Sequence, residues 1–341
     1  MIGISFYLSD PLADQRLIEA GSIGVKRAFT SLHIPEEAHG GMAQKAQKLL
    51  NISKNLGIQV CADVSLSTLK HLNIKNMKDL QELGVSAIRL DDELEGYDIP
   101  SLASSFLLTV NASTLSKREI EDLLAKGIQP DRIIGWHNYY PRRETGLSRS
   151  FFRRQNQLFS RYGIETAAFV PGSGEKRGPI FEGLPTLEDH RGLSPYYCAA
   201  DLRNEGIQHI YTGDPEADIS LLQNLMKLDE KNIVRLRAES DLLASGVYKL
   251  RQDFSRDVLR FYGTRSSEAI PASNTAARPA GSITMDNDGY GRYKGEIQIT
   301  LSDLPRDERV NVIGRIVSED LALLPLIQPG QALKIAILQE L

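Results

Sequence analysis

The polar residues of this 341-residue chain that could do chemistry fall just after short β-branched runs. The carboxylates among them are Glu36, Asp63, Asp91, Glu182 and Asp214. Paired carboxylates in such places suit glycoside hydrolysis, where one protonates the leaving oxygen and the other attacks or stabilises the oxocarbenium-like carbon. Asp63 and Asp91 are the favoured pair, since they follow the third and fourth runs; Glu36, Glu182 and Asp214 are reserves. Arg89, Arg142, Arg177 and Arg191 offer forked donors for a phosphate or a carboxylate. The glycine-rich turns near Gly172 and Gly178 would let backbone N–H groups approach the same anion. His33, Asn111, His137 and Asn138 carry the groups that sugar hydroxyls need.

Each has a plainer reading beside the chemical one. Asp10 before Pro11, and Asp214 before Pro215, read equally as helix N-caps. Glu36-Glu37 would favour a helix N-terminus, and Arg153-Arg154 a solvated helix face. His33, His137 and Asp63 support a metal only through strand-end spacing, so neither metal nor cofactor is expected. The sequence holds no Gly-x-Ser-x-Gly elbow, no P-loop and no His-Glu-x-x-His helix.

What must position these groups is a (β/α)₈ barrel. Strands are predicted at Ile2 to Ser9, Val25 to Leu32, Gln59 to Val64, Ala87 to Leu90, Phe106 to Asn111, Ile133 to Asn138, Thr166 to Val170 and His209 to Thr212. Helical periodicity lies between them, as at Met42 to Leu56, Ser116 to Lys126 and Phe151 to Tyr162. Gly57, Gly84, Gly127, Gly163 and Gly206 each stand between a helix and the next strand, the place of an αL cap. An open doubly wound sheet is disfavoured, because the first turn is Ser9-Asp10-Pro11 rather than a Gly-rich one. In such a barrel the loops after the strands converge on one cavity, which is why strand-end residues are the informative ones.

Past Asp229 the texture changes, so residues 1–231 are read as the barrel and 232–341 as a smaller β domain. A charged segment leads into Val234 to Leu236, and strands are predicted at Ser282 to Met285, Tyr293 to Ile299 and Val310 to Ile316, with a turn then strand at the end. The turn bearing Arg278, Asp286, Asn287, Tyr290, Arg292 and Tyr293 is a candidate lid, with Asn287 and Arg292 as substrate contacts.

Bulk properties exclude several classes. The chain is 41% hydrophobic and 25% charged with a net charge of −4, so no basic stripe calls for nucleic acid. No apolar run approaches the ~20 residues that span a bilayer, so no membrane partner is expected. The strand-like start at Met1 lacks a signal peptide's regions, and Cys61 and Cys198 read as two buried thiols, which together suggest the cytoplasm. A homodimer is left open.

Longer strings add a resemblance. SFYLSD, FTSLHIPEE, HNYYPRRETGLS and RGPIFEGLPTLEDHR, with GSITMDNDGYGRY and ERVNVIGRIV, resemble the bacterial 6-phospho-N-acetylmuramidases, a family once labelled outer surface protein. Arg143 stands where the family pattern has proline. The resemblance covers essentially the whole chain and implies a barrel followed by a cyclophilin-like β domain. It also implies cytoplasmic cleavage of the phosphorylated disaccharide N-acetylmuramic acid 6-phosphate–N-acetylglucosamine in cell-wall recycling. A barrel isomerase or epimerase acting on phosphosugars, and a non-catalytic phosphosugar-binding protein, are the alternatives.

Overall fold

The computed structural model describes residues 1–32, 41–65, 68–69, 72, 74–90 and 97–338. His33, Glu36 and Asp91 lie outside the described residues.

The first unit, Met1–Met226, is a closed barrel of eight parallel strands in sequence order. These are β1 (Ile2–Ser5), β2 (Arg27–Ser31), β3 (Gln59–Val64), β4 (Val85–Leu90), β5 (Leu107–Asn111), β6 (Ile133–Trp136), β7 (Glu165–Val170) and β8 (His209–Thr212). The described helices are α1 (Ala13–Ser22), α2 (Met42–Asn55), α3 (Asp79–Glu82), α4 (Ile99–Ser105), α5 (Lys117–Ala125), α6 (Arg149–Arg161), α7 (Pro195–Asn204) and α8 (Ile219–Lys231). Their starts follow local rules. Ser116 and Glu119 form a reciprocal capping box on α5, Asp98 accepts from the Ser101 N–H on α4, and Ser148 accepts from Phe151 on α6. All five glycines expected to end helices have positive φ, from 67° at Gly57 to 103° at Gly84. A side chain there would be strained, so these turns depend on glycine.

The period-2 alternation of the strands sorts side chains into two layers. Ala28, Val60, Ala62, Ile88, Leu108, Val110 and Ile133 join helix residues such as Leu17, Leu49 and Ile120 in the layer between sheet and helices. Phe29, Cys61, Ala87, Trp136, Phe169 and Tyr211 have the opposite parity and fill the barrel's middle. The Trp136 ring lies 4.3 Å from Tyr211 and 5.5 Å from Phe29, centroid to centroid. Cys61 and Cys198 are buried and free, as the sequence suggests.

The second unit, Lys227–Leu341, is a mixed sheet of seven strands. They are β9 (Ile233–Ser240), β10 (Gly246–Lys249), β11 (Val258–Arg260), β12 (Ser282–Asp286), β13 (Ile297–Thr300), β14 (Val310–Ile316) and β15 (Ala332–Ile337). The order is β10-β15-β9-β14-β12-β13-β11, with β9 and β15 parallel and the remaining pairs antiparallel. A bridge between Leu250 and Phe261 joins the two edges, where Tyr262 N–H donates to the Lys249 carbonyl at 2.8 Å. The sheet therefore wraps onto itself. Two expectations need correcting. Strands β9, β10 and β11 are absent from the predicted set, and Tyr293 belongs to a 3-10 turn (Asp288–Tyr293) ahead of β13. Gly291 and Gly295 at positive φ let the chain turn there instead of extending.

Candidate active site

Extending the inward parity toward the strand C-termini changes the chemistry from apolar to polar. Two residues beyond Cys61 is Asp63, two beyond Ala87 is Arg89, and two beyond Trp136 is Asn138. Pairing of neighbouring strands sets Ser31 beside Asp63, Asp63 beside Arg89, and Arg89 beside Thr109. The result is a linked set. An Arg89 guanidinium nitrogen lies 3.6 Å from Asp63 Oδ2, and Arg89 donates to the Asn138 side-chain carbonyl. Arg89 is only 3% exposed, and a buried guanidinium needs this compensation.

A second cluster adjoins the first. The Arg177 guanidinium sits 3.8 Å over the Tyr7 ring and donates to the Tyr139 hydroxyl at 2.6 Å. Tyr139 packs edge-on against Phe169 and Phe29, the top of the aromatic layer. Burial raises the Tyr139 phenol above its ordinary value, with Arg177 opposing and Asp63 adding to the rise. Burial raises Tyr7 further, and Tyr7 donates to the Gly213 carbonyl. Both phenols therefore stay neutral and serve as hydrogen-bonding groups around the cations. Tyr139 bridges the two clusters.

Behind the strand a third set holds Asn138 in place. His137 has the outward parity of Ile133 and points at α6, where Nε2 donates to Asn156 Oδ1 at 2.9 Å. That leaves Nδ1 to accept from the Ser113 hydroxyl at 3.2 Å, while Ser113 Oγ accepts from the Asn138 backbone N–H at 3.4 Å. Burial pushes His137 down to about 4, so the imidazole is neutral at pH 7 and one tautomer suits both bonds. His137 is fully buried, 4.6 Å from the Phe152 ring. A direct contact with sugar hydroxyls, as expected from the sequence, does not fit this placement, because the ring lies behind the sheet.

The other predicted residues divide by location. Asn111 is half-buried at the end of β5 and caps the Ser113 N–H with its own carbonyl at 3.0 Å. Asp214 is completely buried and accepts from the N–H groups of Gly172, Arg177 and Leu184 at 2.9, 3.1 and 3.3 Å. It is the post around which the loop after β7 is wound. Arg191 holds Glu188 with two nitrogens at 2.7 and 2.8 Å and reaches the Tyr140 and Arg142 carbonyls. The Arg191 hydrogen bonds draw Glu188 down to about 2. The pair clamps the loops after β6 and β7 together, which commits its donors away from an anion. Glu182 pairs with Arg143 at 2.9 Å, and Arg142 is exposed. In the second unit, Asn287 is buried and bonded to Glu308, Asn311 and Gly289, while Arg292 donates to Tyr293 on the surface.

Sequence reasoning overlooked Tyr7, Lys176 and Asn156. Tyr7 hides in an apolar run, and its signal is the inward parity it shares with Gly3 and Ser5. Lys176 donates to the Gly172 carbonyl and lies 3.7 Å from Asp214 Oδ2, beside Arg177. Asn156 looks like one more polar residue of an amphipathic helix, and only the packing of α6 against β6 exposes its role. Among the described residues no group of three or more His, Cys, Asp or Glu could hold a metal ion.

Comparison with known proteins agrees with this division. Residues 2–227 match the N-terminal domain of the 6-phospho-N-acetylmuramidases, and residues 226–336 match their C-terminal domain. No curated protein matches the chain. A solved structure of a conserved Enterococcus faecalis protein of unknown function is 35% identical, with a TM-score of 0.85 over 99% of this chain and 96% of that one. An uncharacterized B. cereus protein is 26% identical, with a TM-score of 0.79 over 98% and 99%.

Proposed function

This chain belongs to the 6-phospho-N-acetylmuramidase family, and we propose that it hydrolyses the β-1,4 bond of N-acetylmuramic acid 6-phosphate–N-acetylglucosamine. The observation that carries the reading is the Asp63–Arg89–Asn138 set on three strand ends, with the Arg177 cluster beside it. A carboxylate alone among sugar-binding groups would suit any glycosidase; the adjoining cations select an anionic sugar.

Asp63 carries Arg89 as its counter-charge. It supports the oxocarbenium-like carbon as nucleophile or by orienting the substrate's 2-acetamido group. The proton for the leaving oxygen comes from a second carboxyl, for which Asp91 is the proposed donor and Glu36 the reserve. Arg177 and Lys176 face the 6-phosphate, since forked and point cations on one loop suit a tetrahedral dianion. Asn111, Asn138 and Tyr139 take the sugar hydroxyls. Asp214 and the Arg191–Glu188 pair hold the loop that presents these cations. The reaction fits a cytoplasmic enzyme of peptidoglycan recycling.

The test is incubation of the purified protein with the disaccharide, with and without its phosphate, while free N-acetylglucosamine is measured. Release from the phosphorylated compound with little from the other supports the reading. Tight binding without release overturns it in favour of a non-catalytic phosphosugar-binding protein.

A further inference from the structure

The end of the barrel opposite the proposed active site holds a cavity of about 250 Å³. Arg27 and Gln59, the first residues of β2 and β3, stand at its wall with Arg132, Ser86, Trp136 and Tyr211. Two features set it apart from an ordinary packing void. Its lining contains two arginines and neither aspartate nor glutamate. Among the described residues, neither arginine forms an ion pair.

The arginines are held, not loose. Arg132 donates to the Ala103 carbonyl at 2.8 Å and to the Phe106 carbonyl at 3.0 Å, using Nε and one terminal nitrogen and leaving the other terminal nitrogen available. Arg27 interacts with the Tyr211 hydroxyl, whose phenol burial raises well above its ordinary value. Glu165, a carboxylate at the same end, is engaged by His209 at 2.7 Å. Burial lowers His209 first, the Glu165 hydrogen bond opposes the fall, and Arg27 and the chain's amino terminus add to it, which places both cations near this end. A concave, half-enclosed space walled by one sign of charge concentrates the opposite sign.

We infer that this cavity is a binding site for a small oxyanion, a carboxylate or phosphate group, held by the guanidinium groups of Arg27 and Arg132. Gln59 and Ser86 add neutral hydrogen-bonding groups to the wall. The site is independent of the activity proposed above, and the aromatic layer of Phe29, Trp136, Phe169 and Tyr211 separates it from the mouth.

Trp136 is the only tryptophan in the chain and lines the cavity, so its fluorescence reports occupancy directly. Inorganic phosphate and acetate are titrated separately at constant ionic strength against wild type, Arg177→Ala, Arg27→Gln and Gln59→Glu. The expected result is a saturable change with at least one anion, kept in Arg177→Ala and weakened tenfold or more in Arg27→Gln and Gln59→Glu. The second of these sets a negative charge at an exposed wall position and serves if Arg27→Gln fails to fold. Phosphate alone acting would mark a phosphate site, and acetate alone a carboxylate site. No saturable response to either anion overturns the inference. So does a response lost in Arg177→Ala but unchanged in Arg27→Gln and Gln59→Glu.

Discussion

The mouth of the barrel and its aromatic middle are built on the same strands, two residues apart, yet they obey opposite rules. At the level of Cys61, Ala87 and Trp136 the inward side chains are apolar and pack ring against ring. One step along each strand, Asp63, Arg89 and Asn138 replace packing with charge and directed hydrogen bonds. The middle layer gains from any close-packed filling of similar volume. The mouth does not, because each buried polar group there requires its own partner. Substitutions in the two layers therefore have different consequences. Changes in the middle should unfold the protein before they alter its chemistry, and changes at the mouth should do the reverse.

The largest stability loss is expected from Trp136→Ala, which removes the biggest fully buried side chain of the middle layer. It should cost roughly 3–5 kcal/mol, read by denaturant unfolding. A loss below about 1 kcal/mol would show that the layer is not close-packed and would blur the contrast.

Next comes the pH dependence set behind the mouth by His137. Burial depresses its folded value to about 4 from the ordinary 6.5, so the unfolded chain takes the proton first as pH falls. Its contribution, up to about 3 kcal/mol, is complete above ~6.5 and is lost as pH falls toward about 4. Burial lowers His209 in the same direction, so both histidines add to the slope. His137→Gln should flatten stability across that window relative to wild type. An unchanged slope would contradict a neutral, buried imidazole.

The smallest of the three sharpens the mouth alone. Arg177→Ala removes a cation stacked on Tyr7 and bonded to Tyr139. Loss of one charge-assisted contact is worth about 1.5–3 kcal/mol, roughly ten- to hundredfold in KM. That penalty should appear with the phosphorylated disaccharide and vanish with the unphosphorylated one. Equal penalties for both would make Arg177 a positioning group rather than the phosphate's partner.

Much of the barrel was legible in the residues, because its signals are local. Gly57, Gly84, Gly127, Gly163 and Gly206 mark helix ends through a backbone requirement that no neighbour can change. Strand ends then located Asp63, Arg89 and Asn138. What was not legible depends on parity and on distant partners. His137 and Asn138 are adjacent in sequence but face opposite sides of the sheet, so one braces α6 and the other faces the mouth. Asp214 has the look of a catalytic carboxylate, and only the three N–H groups of a loop some 30–40 residues earlier show what occupies it. Strands β10 and β11 run only four and three residues, too short to carry a periodic pattern of their own, so ladder pairing defines them.

The proposed chemistry rests on the carboxylate joined to Arg89. Turnover of the phosphorylated disaccharide by purified Asp63→Asn, with its folding checked by thermal unfolding, tests this directly. The expected result is a kcat lowered ~10²–10⁴-fold in a folded protein. Near-wild-type release of N-acetylglucosamine by the folded variant would contradict it.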